Sequence, residues 1–115
     1  MIARTLGTMG AQAILSPCSW AVPPAHDNVT EPYGRLWLEN YGPVARDFRL
    51  WVVGASNVGV VAHGPWQGYR CIGNSLVVGP DGEKVLQGPH GVDAETCLLL
   101  DIDVVHPVRC GAHAG

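Results

Sequence analysis

The chain has 115 residues, room for one domain, and carries a formal net charge of −3 with 15% charged and 47% apolar residues. Its seven basic residues are scattered, which excludes a general polyanion-binding surface and with it a nucleic-acid partner. No apolar run reaches the about 18 residues of a membrane span, so a membrane partner is not expected either.

The N-terminus lacks an apolar stretch followed by a small-residue cleavage pattern, so the expected location is cytoplasmic. Cys18, Cys71, Cys97 and Cys110 form no CxxC pair and are expected as reduced thiols. Asn28-Val29-Thr30 matches a glycosylation acceptor, a chance match in a chain without a secretory signal. Ordinary globular chains are roughly 25% charged. The composition therefore suits an unusually apolar small domain, or a piece whose apolar faces other chain covers.

Residues 2–9 are helix-compatible, with Gly10 placed to end the helix. Ala11–Leu15 is an apolar run closed by Ser16-Pro17, the pattern of a buried strand. Residues 21–29, with Pro23-Pro24 and His26-Asp27-Asn28, read as a loop. Thr30 is the expected N-cap of a second helix, with Glu31 and Pro32 in its first turn. Tyr33, Trp37, Tyr41, Val44 and Phe48 recur at helical spacing as one apolar stripe. Gly42-Pro43 predicts a kink, or two successive helices.

Leu50–Ala55 is continuously apolar, as in a strand covered on both faces. Residues 56–70 are expected as a glycine-rich loop carrying His63, Trp66 and Tyr69. A β-hairpin is predicted at about 71–87, from strand 71–78, turn Gly79-Pro80-Asp81-Gly82 and strand 83–87. Pro80 presets the first turn angle and Gly82 supplies the left-handed closing residue. Over 96–105, Leu100, Ile102 and Val104 alternate with Asp101 and Asp103, the pattern of a strand with one wet face. Residues 1–105 are expected as the folded domain and 106–115 as a flexible tail. The order of elements indicates a layered α/β fold with a mixed sheet.

Cys18 ends a strand beside Ser19 and near His26. Three readings stay open for it: pocket wall, inert packing, or a nucleophile, the last demanding exposure and an activating neighbour. Trp20 and Asn57 are expected to face a substrate cavity, because ligands of α/β sheets collect at the carboxyl ends of strands. His26, His63, His90 and His106 lack zinc-site spacing, so neither a metal nor a cofactor is expected. Lys84, beside the hairpin turn, reads as solvated surface. Asp101 and Asp103 read as the charged side of an outer strand.

Four segments in order resemble the carbon-nitrogen hydrolase (nitrilase-like) family. Ala3-Arg4 with Gly10-Ala11 resembles the family's helix just after its nucleophile. The segment Ile14-Leu15-Ser16-Pro17-Cys18-Ser19-Trp20 is similar to the next strand and its pocket-facing end. Ala45-Arg46 with residues 51–57 resembles a later helix and strand, and residues 71–82 the C-terminal hairpin. The resemblance implies the C-terminal half of an α-β-β-α sandwich, with Cys18, Ser19, Trp20 and Asn57 lining a substrate pocket. It also favours the reading of the composition as a piece.

Members of that family hydrolyse nitriles, amides or carbamoyl groups. They use a Cys nucleophile, a Glu base and a Lys that stabilises the tetrahedral intermediate. The alignment puts all three before Met1, so no residue here takes a catalytic role. A fragment inactive alone is expected, acting on small nitrile, amide or carbamoyl substrates only within a complete enzyme. The alternative is a non-catalytic interaction module pairing with a complementary N-terminal fragment or with itself, since half a sandwich leaves apolar faces uncovered. A third reading is a small thiol enzyme using Cys18 with His26.

Overall fold

The computed structural model describes residues 2–105, and the tail expected over 106–115 lies outside them. Its elements are α1 (Ile2–Thr8), β1 (Ala13–Cys18), β2 (Ala21–Val22), α2 (Tyr33–Phe48), β3 (Trp51–Ser56), β4 (Val58–Val60), β5 (Arg70–Ile72), β6 (Leu76–Val78) and β7 (Lys84–Gln87). One sheet has the order β1-β3-β6-β7 and a smaller one the order β2-β5-β4. β1 and β3 are parallel, from Ala13 opposite Trp51 to Cys18 opposite Ser56. β3–β6 and β6–β7 are antiparallel, so the larger sheet is mixed, as the element order indicates. No described helix is long and apolar enough to cross a membrane.

Gly10, at φ 92°, ends α1 where it is expected to. The second helix starts later than its sequence suggests. Pro32 takes the cap position without a side-chain bond, and Thr30 Oγ1 turns back to donate to the Asp27 carbonyl. The Tyr33 N–H instead donates to Asn28 Oδ1 at 2.8 Å, so an asparagine five residues upstream does the capping. α2 also runs unbroken through Gly42-Pro43, where two helices were one option. There its backbone lies on the hairpin turn: a Cβ on Gly42 would stand 3.0 Å from the Gly82 carbonyl oxygen. Tertiary support of this kind offsets the donor that Pro43 lacks.

The core sits between the helices and one face of the larger sheet, with Ile14, Val44, Ala45, Leu50, Val52, Leu76 and Val78 at its centre. Strands alternate their side chains, and only one face is fully covered. β3 therefore buries Val52 and Gly54 while Ala55 is exposed, so the strand expected to be covered on both faces is not. The run expected as a buried strand at Ala11–Leu15 extends to Cys18, and Leu15 is 73% exposed on the open side. Pro17 is tolerated because β1 is an edge strand with one side free of ladder bonds.

Three further expectations are corrected. Residues 56–70 are not all loop, because Val58–Val60 pairs with β5. Residues 71–78 are not one strand. Gly73 (φ 71°) and Asn74 (φ 60°) take left-handed angles in succession, which breaks the ladder and passes the chain from the small sheet to the large one. The hairpin is thus β6–β7, closed by Gly82 at φ 84° as its turn chemistry requires. Residues 96–105 form no strand. They lie across the open sheet face with Leu98, Leu100 and Ile102 toward it, and the Trp51 indole N–H holds the Asp103 carbonyl at 2.9 Å.

Candidate functional site

The carboxyl end of β1 opens into a groove of about 530 Å³. Its walls come from three places: Cys18, Ser19 and Trp20 after β1, Tyr33, Trp37 and Tyr41 on α2, and Trp66 and Tyr69 in the β4–β5 loop. Spacing of four residues stacks the α2 rings in one column, as residues so placed share a helix face. Trp20 lies flat against Trp37 with centroids 4.5 Å apart and planes 9° apart. Trp37 stacks on Tyr41 at 5.9 Å, and Tyr33 meets Trp37 edge-on at 6.0 Å. Trp66 and Tyr69 form an edge-to-face pair at 5.1 Å. Room for the Trp20 ring is made by Gly54, where a Cβ would come within 2.9 Å of it.

The polar groups of the groove are neutral, and among the described residues no charged side chain lines it. Ser16 Oγ and the Tyr41 hydroxyl are 3.4 Å apart. The Cys18 thiol is held by the carbonyls of Ser16 (3.3 Å) and Ala55 (3.5 Å). Burial pushes its pKa up, only partly offset by the Ser16 contact. A thiol in that setting is a poor nucleophile. His26 does not rescue it: its Nε2 faces Asn28 Oδ1 at 3.4 Å and its ring meets the edge of Tyr33. Burial likewise pushes the Tyr33 phenol up, while the Trp37 indole approaching it pulls the other way. That approach stops short of a hydrogen bond, leaving the buried indole N–H groups of Trp20 and Trp37 without partners.

Three of the four residues expected to line a pocket are brought together here, Cys18, Ser19 and Trp20. Trp20 is only 3% exposed and belongs to the core as much as to the groove. Asn57 goes elsewhere. Its backbone joins the site, its N–H donating to the Cys18 carbonyl at 3.0 Å and its own carbonyl accepting from Gly73. The residue itself borders a second cavity of about 700 Å³ on the open sheet face, under residues 94–102.

Tyr33, Trp37 and Tyr41 read as core stripe in the sequence, and Trp66 and Tyr69 as loop. The signal that separates them was present: the stripe carries three consecutive aromatics, Tyr33, Trp37 and Tyr41, before the aliphatic Val44 interrupts it. Lys84 lies on β7, across the sheet from β1, where it donates to Gln87 Oε1 at 3.0 Å. Asp101 and Asp103 are exposed. Among the described residues no three His, Cys, Asp or Glu side chains converge on one point.

No family model matches the sequence, and no curated protein matches it. A solved structure that is similar is the carbon-nitrogen hydrolase from Helicobacter pylori G27, with a TM-score of 0.60 and 22% identity. The likeness covers 76% of this chain and 31% of the other, so the chain spans under a third of that protein's length. At this identity the likeness shows the fold: a mixed α/β arrangement of the partial nitrilase-like sandwich type.

Proposed function

We propose that this chain forms the C-terminal part of a carbon-nitrogen hydrolase domain, acting in the cytoplasm on small nitriles, amides or carbamoyl compounds. The observation that carries the reading is the fold likeness of 0.60 over 76% of the chain. In the reaction, a thiolate adding to an amide or carbamoyl carbon expels ammonia or an amine and leaves an acyl-thiol intermediate, whereas adding to a nitrile it forms a thioimidate that a first water converts to the thioester with loss of ammonia. Water then hydrolyses the acyl-sulfur bond and frees the thiol. Cys18, Ser19 and Trp20 would line the substrate side, with Asn57 bracing them through the Cys18 carbonyl. Nucleophile, base and lysine would come from chain outside these 115 residues.

Supporting this division, the Cys18 thiol hydrogen-bonds to two carbonyls, and the lysine of the chain sits at the opposite sheet edge. The chain assayed alone with nitrile, amide and N-carbamoyl substrates is expected to show no turnover. Turnover abolished by thiol alkylation would place the nucleophile among these residues and overturn the division.

A second reading, a non-catalytic interaction module, is favoured by one observation. The larger sheet leaves an apolar face open at Leu15 and Ala55. Such a face would pair with a complementary fragment or a second copy. A monomer by sedimentation at all concentrations, unfolding cooperatively, would count against it.

A further inference from the structure

We infer that the aromatic groove takes a flat, uncharged ligand of the aryl amide class, with Trp66 as its outer wall. The inference rests on the reading of the groove as the substrate side of a carbon-nitrogen hydrolase.

The groove's volume of about 530 Å³ suits a small molecule. Among the described residues its lining carries no ionic group, so a carboxylate or ammonium entering it would shed water without a counter-charge from them. Aromatic walls can attract a cation, but only through open ring faces. Trp20 and Trp37 cover one another at 4.5 Å, and Tyr41 covers Trp37 from the α2 column. Those faces are spent. Ring edges remain, and edges prefer the face of another neutral ring.

Trp66 supplies the remaining surface. It is 61% exposed, yet it is not loose, because Val61 and Tyr69 close the loop at 2.8 Å and Tyr69 braces its ring. A large indole held in water at the groove mouth presents a ready face for a flat partner. The polar groups within reach, Ser19 and the Ser16–Tyr41 hydroxyl pair, are neutral and can both donate and accept, as an amide does.

The test is an NMR titration of the full chain, following the indole N–H signals of Trp37, Trp66 and Trp51. Trp51 is the internal control, since its indole donates to Asp103 on the other side of the sheet. Benzamide is expected to shift Trp37 and Trp66 saturably and leave Trp51 still. It should bind up to about tenfold tighter than propionamide, the size of one aromatic pair, with benzoate and benzylammonium weaker still. Trp66→Ala should weaken benzamide several-fold while leaving propionamide unchanged.

Equal affinity for benzamide and propionamide would overturn the aryl class and leave the amide-site reading standing. Benzoate or benzylammonium binding as tightly as benzamide would overturn the uncharged character. No shift of a groove indole with any amide, in a folded chain, would remove the site and the substrate-side reading together.

Discussion

Cys97 is exposed, Cys18 half-buried and Cys71 buried, and this gradient sets what each thiol can do. Of these three, iodoacetamide is expected to modify Cys97 first, Cys18 more slowly and Cys71 only on unfolding, with peptide mass mapping as the readout. Burial holds the Cys18 pKa above its ordinary 9.0, so the folded chain keeps that proton more tightly than the unfolded one. The stability linked to it is intact below pH 9 and falls as pH rises through the folded value. Labelling of Cys18 should therefore climb only above pH 9. A rate already level at pH 7 would reveal an activating base and contradict the geometry.

Asp47 has the opposite sign. Arg4 donates to its carboxylate at 2.6 Å and holds its pKa below the ordinary 3.8. That contribution is present above pH 3.8 and is lost as pH falls below it, loosening α1 from α2. Asn74 is the buried polar residue among those described, accepting from Gln87 Nε2 at 3.0 Å while its own backbone is left-handed. Asn74→Ala removes this bond and puts an alanine at a left-handed φ, and should cost about 1–2 kcal/mol in denaturant titrations. Nothing in the sequence near Asn74 announces this role, because its partner stands on another strand.

At the scale of elements, α2 and β3 make the sharpest predictions. Pro43 lies inside α2, where proline is disfavoured by up to about 3 kcal/mol relative to alanine. Pro43→Ala is thus expected to raise the melting temperature. Gly54 in β3 faces the Trp20 ring, and an alanine methyl there would meet it at 2.9 Å. A flat ring inside a packed core cannot yield far, so Gly54→Ala should destabilise by about 1–3 kcal/mol and disturb the groove. The stripe of α2, the Gly10 stop and the turn at Gly79–Gly82 were legible from spacing and turn chemistry, because those interactions are local. The N-cap was not, since Asn28 reaches Tyr33 across an intervening loop. Nor was the break at Gly73-Asn74, where one sheet hands the chain to another.

Among the described residues, one face of the larger sheet is roofed by helices while the other is crossed by residues 94–102. The radius of gyration is 15.9 Å, against about 13 Å for a closed domain of this length. The shape is elongated, 51 × 28 × 23 Å. Leu15, 73% exposed on its edge strand, is the clearest apolar surface on the open side. Under the interaction-module reading, Leu15→Lys is expected to reduce self-association in sedimentation velocity without loss of thermal stability, since a charged edge residue blocks strand-to-strand contact. An unchanged association would move the contact elsewhere.

Composition, periodicity and turn residues were enough to establish a mixed α/β chain, its long amphipathic helix and its closing hairpin, all governed by neighbours a few residues apart. The face on which each strand is left bare, the meeting of Cys18, Ser19 and Trp20 with rings from α2 and Trp66, and the parting of Asn57 to another cavity were beyond its reach. Those depend on contacts between residues far apart in the chain, from Trp20 with Trp37 to Cys18 with Trp66, and pairing across such distances is set by how the layers pack.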